Sequence, residues 1–248
     1  MTESNVQQAV ILAAGLGTRL LPLTADRPKA LVEVAGTALL RRLLDSCEAA
    51  GLREAVVITG HRRGQLERWL QAYDGSLRLR TVHNEAYDTL GNAWSLYCAR
   101  AAVGGDGFIK LDGDLLLDSS IVTRLRQRPG SAIVLDRSVT LDAEAMKAAV
   151  DRSGRVQQMG KWLPLTEAHG ESIGVEKIAA DDYERVFAGI RRRVKGQGEG
   201  DAYYEDVYHA LIAAGWHLDS YDCSGAFWCE VDDSRDLARA EAALGQTP

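Results

Sequence analysis

The sequence predicts an α/β protein built on a mostly parallel, Rossmann-like sheet with helices on both faces, followed by a small β-rich part. Three observations carry this expectation. Up to about residue 140, short β-branched runs alternate with amphipathic stretches. The first run, Val10-Ile11-Leu12-Ala13-Ala14-Gly15-Leu16-Gly17-Thr18-Arg19-Leu20, ends in small residues and glycines, as a buried strand entering a loop does. Beyond that point the alternation gives way to hairpin-like spacing.

Strands are expected at Gln8 to Ala13, Ala55 to Thr59, Arg78 to His83, Phe108 to Leu111 and Ala132 to Asp136. Between them, Leu39 to Ala50, Gln65 to Tyr73, Asn92 to Ala102 and Ser120 to Gln127 place apolar residues at helical spacing. Sheets connected in this way bind ligands beyond the carboxyl ends of their strands, which is where the glycine loop lies. In the second part, Ala145 to Val150 and Arg155 to Met159 flank the hairpin turn Asp151-Arg152-Ser153-Gly154, and Ser172 to Lys177 is a third strand. A helix is expected over Asp181 to Val194, then a break at Lys195 to Gly200. Tyr203 to Ala214 follows as a helix with Tyr204, Val207, Tyr208 and Leu211 on one face. Trp216 to Tyr221 and Phe227 to Val231 close the fold as strands, and Ser234 reads as the N-cap of a last helix.

The 29 basic and 35 acidic side chains give a formal net charge of -6 without any basic tract, so a nucleic-acid polymer is a poor partner. A small anion needs only a local positive pocket. No apolar run approaches the roughly 20 residues of a membrane span, and Met1 to Asn5 has no basic residue before a short apolar strand. A cytoplasmic protein without membrane attachment is expected. Cys47, Cys98, Cys223 and Cys229 lack paired metal spacing and sit in apolar segments, which suits reduced core thiols.

The loop itself is suited to a phosphate chain. Gly15 and Gly17 let backbone N–H groups approach oxygens closely; Arg19 adds a planar multi-donor cation and Lys29, in Pro28-Lys29-Ala30-Leu31, a mobile one. It is not a Walker loop, because Thr18-Arg19 follows Gly17 where that motif needs Gly-Lys-Ser/Thr. It is not the dinucleotide fingerprint either, because Leu20 stands where a third glycine is required.

The Gly-x-Gly-Thr-Arg-Leu loop with its Pro-Lys-Ala-Leu continuation resembles the signature of the sugar-nucleotide pyrophosphorylase-like nucleotidyltransferases. Asn92-Ala-Trp-Ser95-Leu resembles the segment facing the pyrimidine in the phosphocholine/phosphonate cytidylyltransferase branch. The resemblance implies a GT-A-like nucleotidyltransferase fold over a single domain, residues 1–248, with a nucleotide-binding part at 1–140. Residues 141–248 would bind the acceptor and complete a metal site. It implies that Leu12, Ala13, Ala14, Gly15, Gly17, Thr18, Gly91, Asn92, Ser95 and Asp112 contact the nucleotide, and that Arg19, Lys29 and Asp114 are catalytic. A strand-end Gly-Asp and a late Glu-x-Asp supply the family's metal ligands. Carried across, Asp114 and Asp232 form the Mg2+ pair, with Glu230 beside them; strand alternation puts Glu230 and Asp232 on one face.

For the acceptor, the resemblance implies Lys161 after Gly160, with Lys147 as a further cation, and Tyr204, Glu205 and Asp206 around a head group, with Glu171 a further acidic contact. An aromatic face with carboxylates suits an ammonium. The implied partners are CTP or another pyrimidine triphosphate and a small phosphate or phosphonate, with a homodimer as the candidate assembly. The implied reaction is CMP transfer with pyrophosphate release; the alternatives are a sugar-1-phosphate nucleotidyltransferase using UTP or dTTP, or a catalytically silent nucleotide-binding module.

Overall fold

A computed structural model describes residues 6–245; the sequence reading of residues 1–5 lies outside them. β1 (Gln8–Ala13) runs through the middle of the sheet, and its alternation sends Val10 to one apolar layer and Ala9 and Ile11 to the other. The hairpin β2 (Glu33–Val34) and β3 (Thr37–Ala38) leads into α1 (Leu39–Ala49), which returns the chain to β4 (Glu54–Thr59). α2 (Arg63–Gln71) precedes β5 (Arg78–His83), and α3 (Asn92–Cys98) with α4 (Arg100–Val103) precedes β6 (Phe108–Asp112). These strands lie in the order β6-β1-β4-β5 and are all parallel.

The chain continues through β7 (Leu115–Leu117), α5 (Ser119–Gln127), β8 (Ala132–Asp136), β9 (Lys147–Val150), β10 (Val156–Met159) and β11 (Gly170–Ile178). It ends with α6 (Tyr183–Arg191), α7 (Tyr204–Ala213), β12 (Asp219–Asp222), β13 (Trp228–Glu230) and α8 (Ser234–Gly245). β11 runs antiparallel to both β6 and β8 and ties the second part into the same nine-stranded sheet. Within β11, Gly174 has φ 74 and lies against the carboxylate of Asp112, a position that any side chain would obstruct.

Two apolar layers cover the sheet: α3, α6 and α7 pack on one face, and α1, α2 and α5 on the other. Leu20, Val32, Leu116, Cys229, Val231 and Ala240 belong to a third buried cluster beneath the glycine loop, which fixes the loop to the β7–β13 ladder. Complete burial of one such aliphatic side chain contributes about 1.5–3 kcal/mol.

Several boundaries differ from the sequence reading for local reasons. The strand expected from Trp216 begins only at Asp219, because the Trp216 N–H donates to Leu211 O (2.9 Å) and closes α7. Ser234 is the first residue of α8 rather than its cap. Asp233 caps it, its Oδ1 accepting the N–H of Arg235 at 2.7 Å and of Asp236 at 3.0 Å. The helix expected to reach Val194 stops at Arg191 and widens into a π-turn over Arg192–Gly196. The four cysteines are free, three of them buried. Among the described residues no helix is long and apolar enough to cross a membrane.

Candidate active site

A cavity of about 510 Å³ opens at the carboxyl ends of β1 and β6. Three backbone devices bring its residues together. Gly17 has φ 66, and a Cβ there would stand 3.0 Å from Lys29 Cβ, so the glycine lets the loop fold onto the lysine stem. The Thr24 hydroxyl fastens that turn by donating to Gly17 O at 2.7 Å. Gly113 donates to Leu12 O at 2.9 Å, and a Cβ would meet that oxygen at 2.5 Å, so Asp112-Gly113-Asp114 passes flush against the end of β1. β13 pairs with β7, and Val231 N–H donates to Asp114 O at 3.0 Å, which brings Glu230 and Asp232 alongside Asp114.

The result is a compact charge cluster. Lys29 Nζ lies 2.6 Å from Asp114 Oδ2 and also donates to Asp232 Oδ1; Arg19 reaches Asp232 Oδ2 at 2.6 Å. Burial opposes the charge on Lys29, but the two carboxylates more than offset it and hold its pKa above the ordinary lysine value. Glu230 has no such partner. Burial pushes its carboxyl up to about 8, with Asp114, Asp112 and Asp232 adding to the shift. Two carboxylates gathered around Lys29, with a third acid beside them that has no cation, supply the kind of oxygen ligands a divalent ion takes. Among the described residues no three His, Cys, Asp or Glu side chains form a ready metal cage, so such an ion would complete its shell with water and phosphate oxygens.

At the other end, the cavity is lined by Asp142, Glu144, Glu171, Tyr203, Tyr204 and Glu205. Glu205 is 4% exposed and its Oε2 has no hydrogen-bond partner. Burial pushes its carboxyl up to about 8; Lys110 opposes the shift, and Glu176 and Asp112 add to it. Glu171 is raised as well, by burial and then by Asp142 and Asp136. Beneath this wall lies Lys110, fully buried, with Nζ 3.1 Å from Asp112 Oδ1, 3.0 Å from Glu176 Oε2 and 3.6 Å from the centroid of the Tyr204 ring. The Tyr204 hydroxyl donates to Asp112 Oδ2 at 2.7 Å.

Of the residues singled out from sequence, Leu12, Ala13, Ala14, Gly15, Arg19, Lys29, Asn92, Ser95, Asp112, Asp114, Lys161, Glu171, Tyr204, Glu205, Glu230 and Asp232 line the cavity. Five do not. Gly17 is the hinge behind the loop, and Thr18 is exposed at the start of a 3-10 turn. Gly91 faces protein rather than ligand: a Cβ there would stand 2.5 Å from Ala202 O. Lys147 is buried and donates to the carbonyls of Asp142, Ala143 and Ala145 at 3.0–3.2 Å, so it shapes the loop that presents Asp142 and Glu144. Asp206 caps α7, its Oδ2 accepting Tyr203 N–H at 3.1 Å.

Asn92 and Ser95 are present but partly engaged, Asn92 Oδ1 with Tyr204 N–H at 3.0 Å and Ser95 Oγ with Asn84 Nδ2 at 3.0 Å. Tyr87, Leu90, Asp142, Glu144 and Lys110 escaped sequence reading. Only Lys110 carried a signal, as a charge inside the apolar run Phe108-Ile109-Lys110-Leu111.

A glycine loop, two cations and a facing carboxylate pair thus converge at the edge of a parallel sheet. By residues 9–162 the chain belongs to the MobA-like NTP transferase domain family, a family of nucleotidyltransferases. It is similar to the CMP-5'-(3-aminopropyl)phosphonate synthase of Streptomyces rubellomurinus, 29% identical over 94% of this chain and 38% of that protein. It is also similar to the 2-aminoethylphosphonate cytidylyltransferase of Lancefieldella rimae, 26% identical over 85% of this chain and 83% of the relative. In fold it matches the inositol-1-phosphate CTP transferase from T. maritima, with a TM-score of 0.81 at 21% identity over 98% of each chain. The chain spans only 38% and 53% of the length of the first two relatives it matches.

Proposed function

We propose that the protein is a magnesium-dependent cytidylyltransferase that transfers CMP from CTP to a small phosphate or phosphonate bearing an amine, with release of pyrophosphate. The observation that carries this reading is the convergence of Arg19, Lys29, Asp114 and Asp232 at the glycine loop. The relatives named for aminoalkylphosphonates support the choice of CTP and of an amine-bearing acceptor. So does the acidic wall at the far end of the cavity, where the carboxyls of Glu205 and Glu171 are both raised and neither has a cation partner among the described residues.

In this reaction an anionic oxygen of the acceptor forms a bond to the α-phosphorus of CTP, and the bond from that phosphorus to the oxygen bridging to the β-phosphate breaks in line. Nothing covalent is asked of the protein, so catalysis rests on positioning and charge neutralisation. The backbone from Ala13 to Gly15 lies along the triphosphate. Arg19 and Lys29 neutralise it, Lys29 exchanging its carboxylate partners for phosphate oxygens and holding the charge that develops on the leaving pyrophosphate. Asp114 and Asp232, with Glu230 beside them, are the residues that would hold the divalent ion, whose contribution when bound is charge neutralisation at the reacting phosphate. Ala14, Tyr87, Leu90, Asn92 and Ser95 form the wall that faces the base, and Lys161 meets the acceptor anion while Glu205 and Glu171 meet its ammonium. On this reading residues 1–140 hold the nucleotide, and residues 141–248 hold the acceptor and complete the metal site.

The test is pyrophosphate release from each of the four ribonucleoside triphosphates with magnesium, against aminoalkylphosphonates, phosphocholine, inositol phosphate and hexose 1-phosphates. Release with CTP and an amine-bearing acceptor is expected. Release only with a hexose 1-phosphate would overturn the proposal.

A further inference from the structure

A second cleft, of about 480 Å³, lies on the helical face of the molecule between α3–α4 and α6 with its π-turn. Its lining is unlike that of the catalytic cavity. Arg100, Arg191, Arg192 and Lys195 surround it, with Glu184 the one acidic residue in the wall. Glu184 is already taken by Arg100, at 3.0 Å. Arg191, Arg192 and Lys195 have no carboxylate partner among the described residues, although the chain as a whole carries a formal charge of -6. An excess of cations in one concave place on an acidic protein focuses potential for an anion.

The wall between the cations is aromatic. Tyr97 and Phe187 line the cleft, and Trp94 stacks on Tyr97 with centroids 4.7 Å apart and planes inclined by 15°. Lys195 Nζ stands 4.4 Å above the Trp94 ring. The π-turn contributes to this arrangement: its wider winding ends α6 and carries both Arg192 and Lys195 to the cleft. The same helix serves both cavities, since Asn92 and Ser95 of α3 line the catalytic one and Tyr97 the second.

We propose that this cleft is a second, non-catalytic anion site that takes an oligophosphate group, either free pyrophosphate or the phosphate chain of a nucleotide. Two or three phosphates supply the multiple acceptor oxygens that two guanidinium forks and an ammonium can engage together. The cleft's chemistry does not depend on which acceptor the catalytic cavity takes.

Pyrophosphate and CTP, titrated separately by calorimetry into an Arg19→Met/Lys29→Met protein, report on this cleft with the catalytic phosphate contacts removed. Saturable one-to-one binding of either anion is expected, weakened about tenfold or more when Arg191→Ser and Lys195→Ser are added. The same pair of substitutions in the otherwise unaltered protein should leave turnover at low anion concentration unchanged. Binding should alter tryptophan fluorescence, and Trp94→Phe should abolish that change while retaining the calorimetric signal. The proposal is overturned if neither anion saturates, if the Arg191 and Lys195 substitutions leave affinity unchanged, or if the fluorescence change survives Trp94→Phe. The cations would then serve only the negative end of the α6 dipole.

Discussion

The two ends of the catalytic cavity are both acidic, but they treat their charge in opposite ways. At the glycine loop, Asp114 and Asp232 are neutralised from within the chain by Lys29 and Arg19. At the α7 end, Glu205 is buried and Glu171 half-buried with no cation in direct contact, and Lys110 is spent on Asp112 and Glu176. The lesson is one of division of labour. On the proposed function, the first end holds its cations in reserve for an incoming anion, and the second is left short of a positive charge that the acceptor would bring.

Removing the reserve should have the largest effect. Lys29→Ala deletes the group proposed to hold the leaving pyrophosphate, and loss of one such preorganised donor costs about 10²–10³ in turnover. Unchanged circular dichroism and melting temperature would separate this loss from unfolding; near-normal turnover would remove Lys29 from the mechanism. Lys29→Met sharpens the same point without any turnover. The ammonium competes with a divalent ion for Asp114 and Asp232, so Mn2+ binding followed by electron paramagnetic resonance in the absence of nucleotide should tighten several-fold in the variant. Weaker binding would mean that the two carboxylates do not share a metal position.

The deficient end is tested by Glu205→Gln, which keeps the shape of the side chain and removes its capacity for charge. An ammonium held by a buried carboxylate loses a charge-assisted contact, and KM for an amine-bearing acceptor should rise about tenfold or more. KM for CTP should stay the same, because the proposed triphosphate position is at the other end. An equal rise in both constants would indicate a general distortion of the cavity rather than a lost head-group contact.

The same contrast explains what was legible in the sequence. The phosphate end is written in nearly contiguous residues, Ala13 to Arg19 and Pro28 to Leu31, whose chemistry follows from small size and fixed charge. Asp114 and Asp232 are distant in the chain, yet each closes a recognisable strand, and the β7–β13 ladder that unites them involves only three residues of each. The α7 end draws on a loop, a strand and a helix at once, Asp142 and Glu144 from the loop before β9, Glu171 from β11 and Tyr204 and Glu205 from α7, so no single periodicity encodes their convergence. Lys147 and Asp206 have the right charge for a ligand, but backbone carbonyls and a helix terminus claim them first. Asp142 and Glu144 belong to a loop held by Lys147 and by the Asp142 carboxylate, which accepts the N–H groups of Glu144 and Ala145. Gly91 has the size that close approach demands, but the chain at Ala202, not a nucleotide, is what approaches it.

The last effect expected is on stability against pH, at the α7 end. Glu205 has a carboxyl raised from the ordinary 4.5 to about 8 in the folded protein. Between these values the folded chain keeps a proton that the unfolded chain has released, so stability falls as pH rises through the window, by at most about 1.4 kcal/mol per pH unit. Glu205→Gln removes this dependence. Its stability relative to the parent protein should therefore grow from about pH 4.5 and level off above about pH 8, read as a melting-temperature gain of about 2–4 °C for each kcal/mol. A variant whose advantage instead shrank with rising pH would show that Glu205 is ionised and satisfied in the empty cavity, and that the α7 end does not wait for a cation at all.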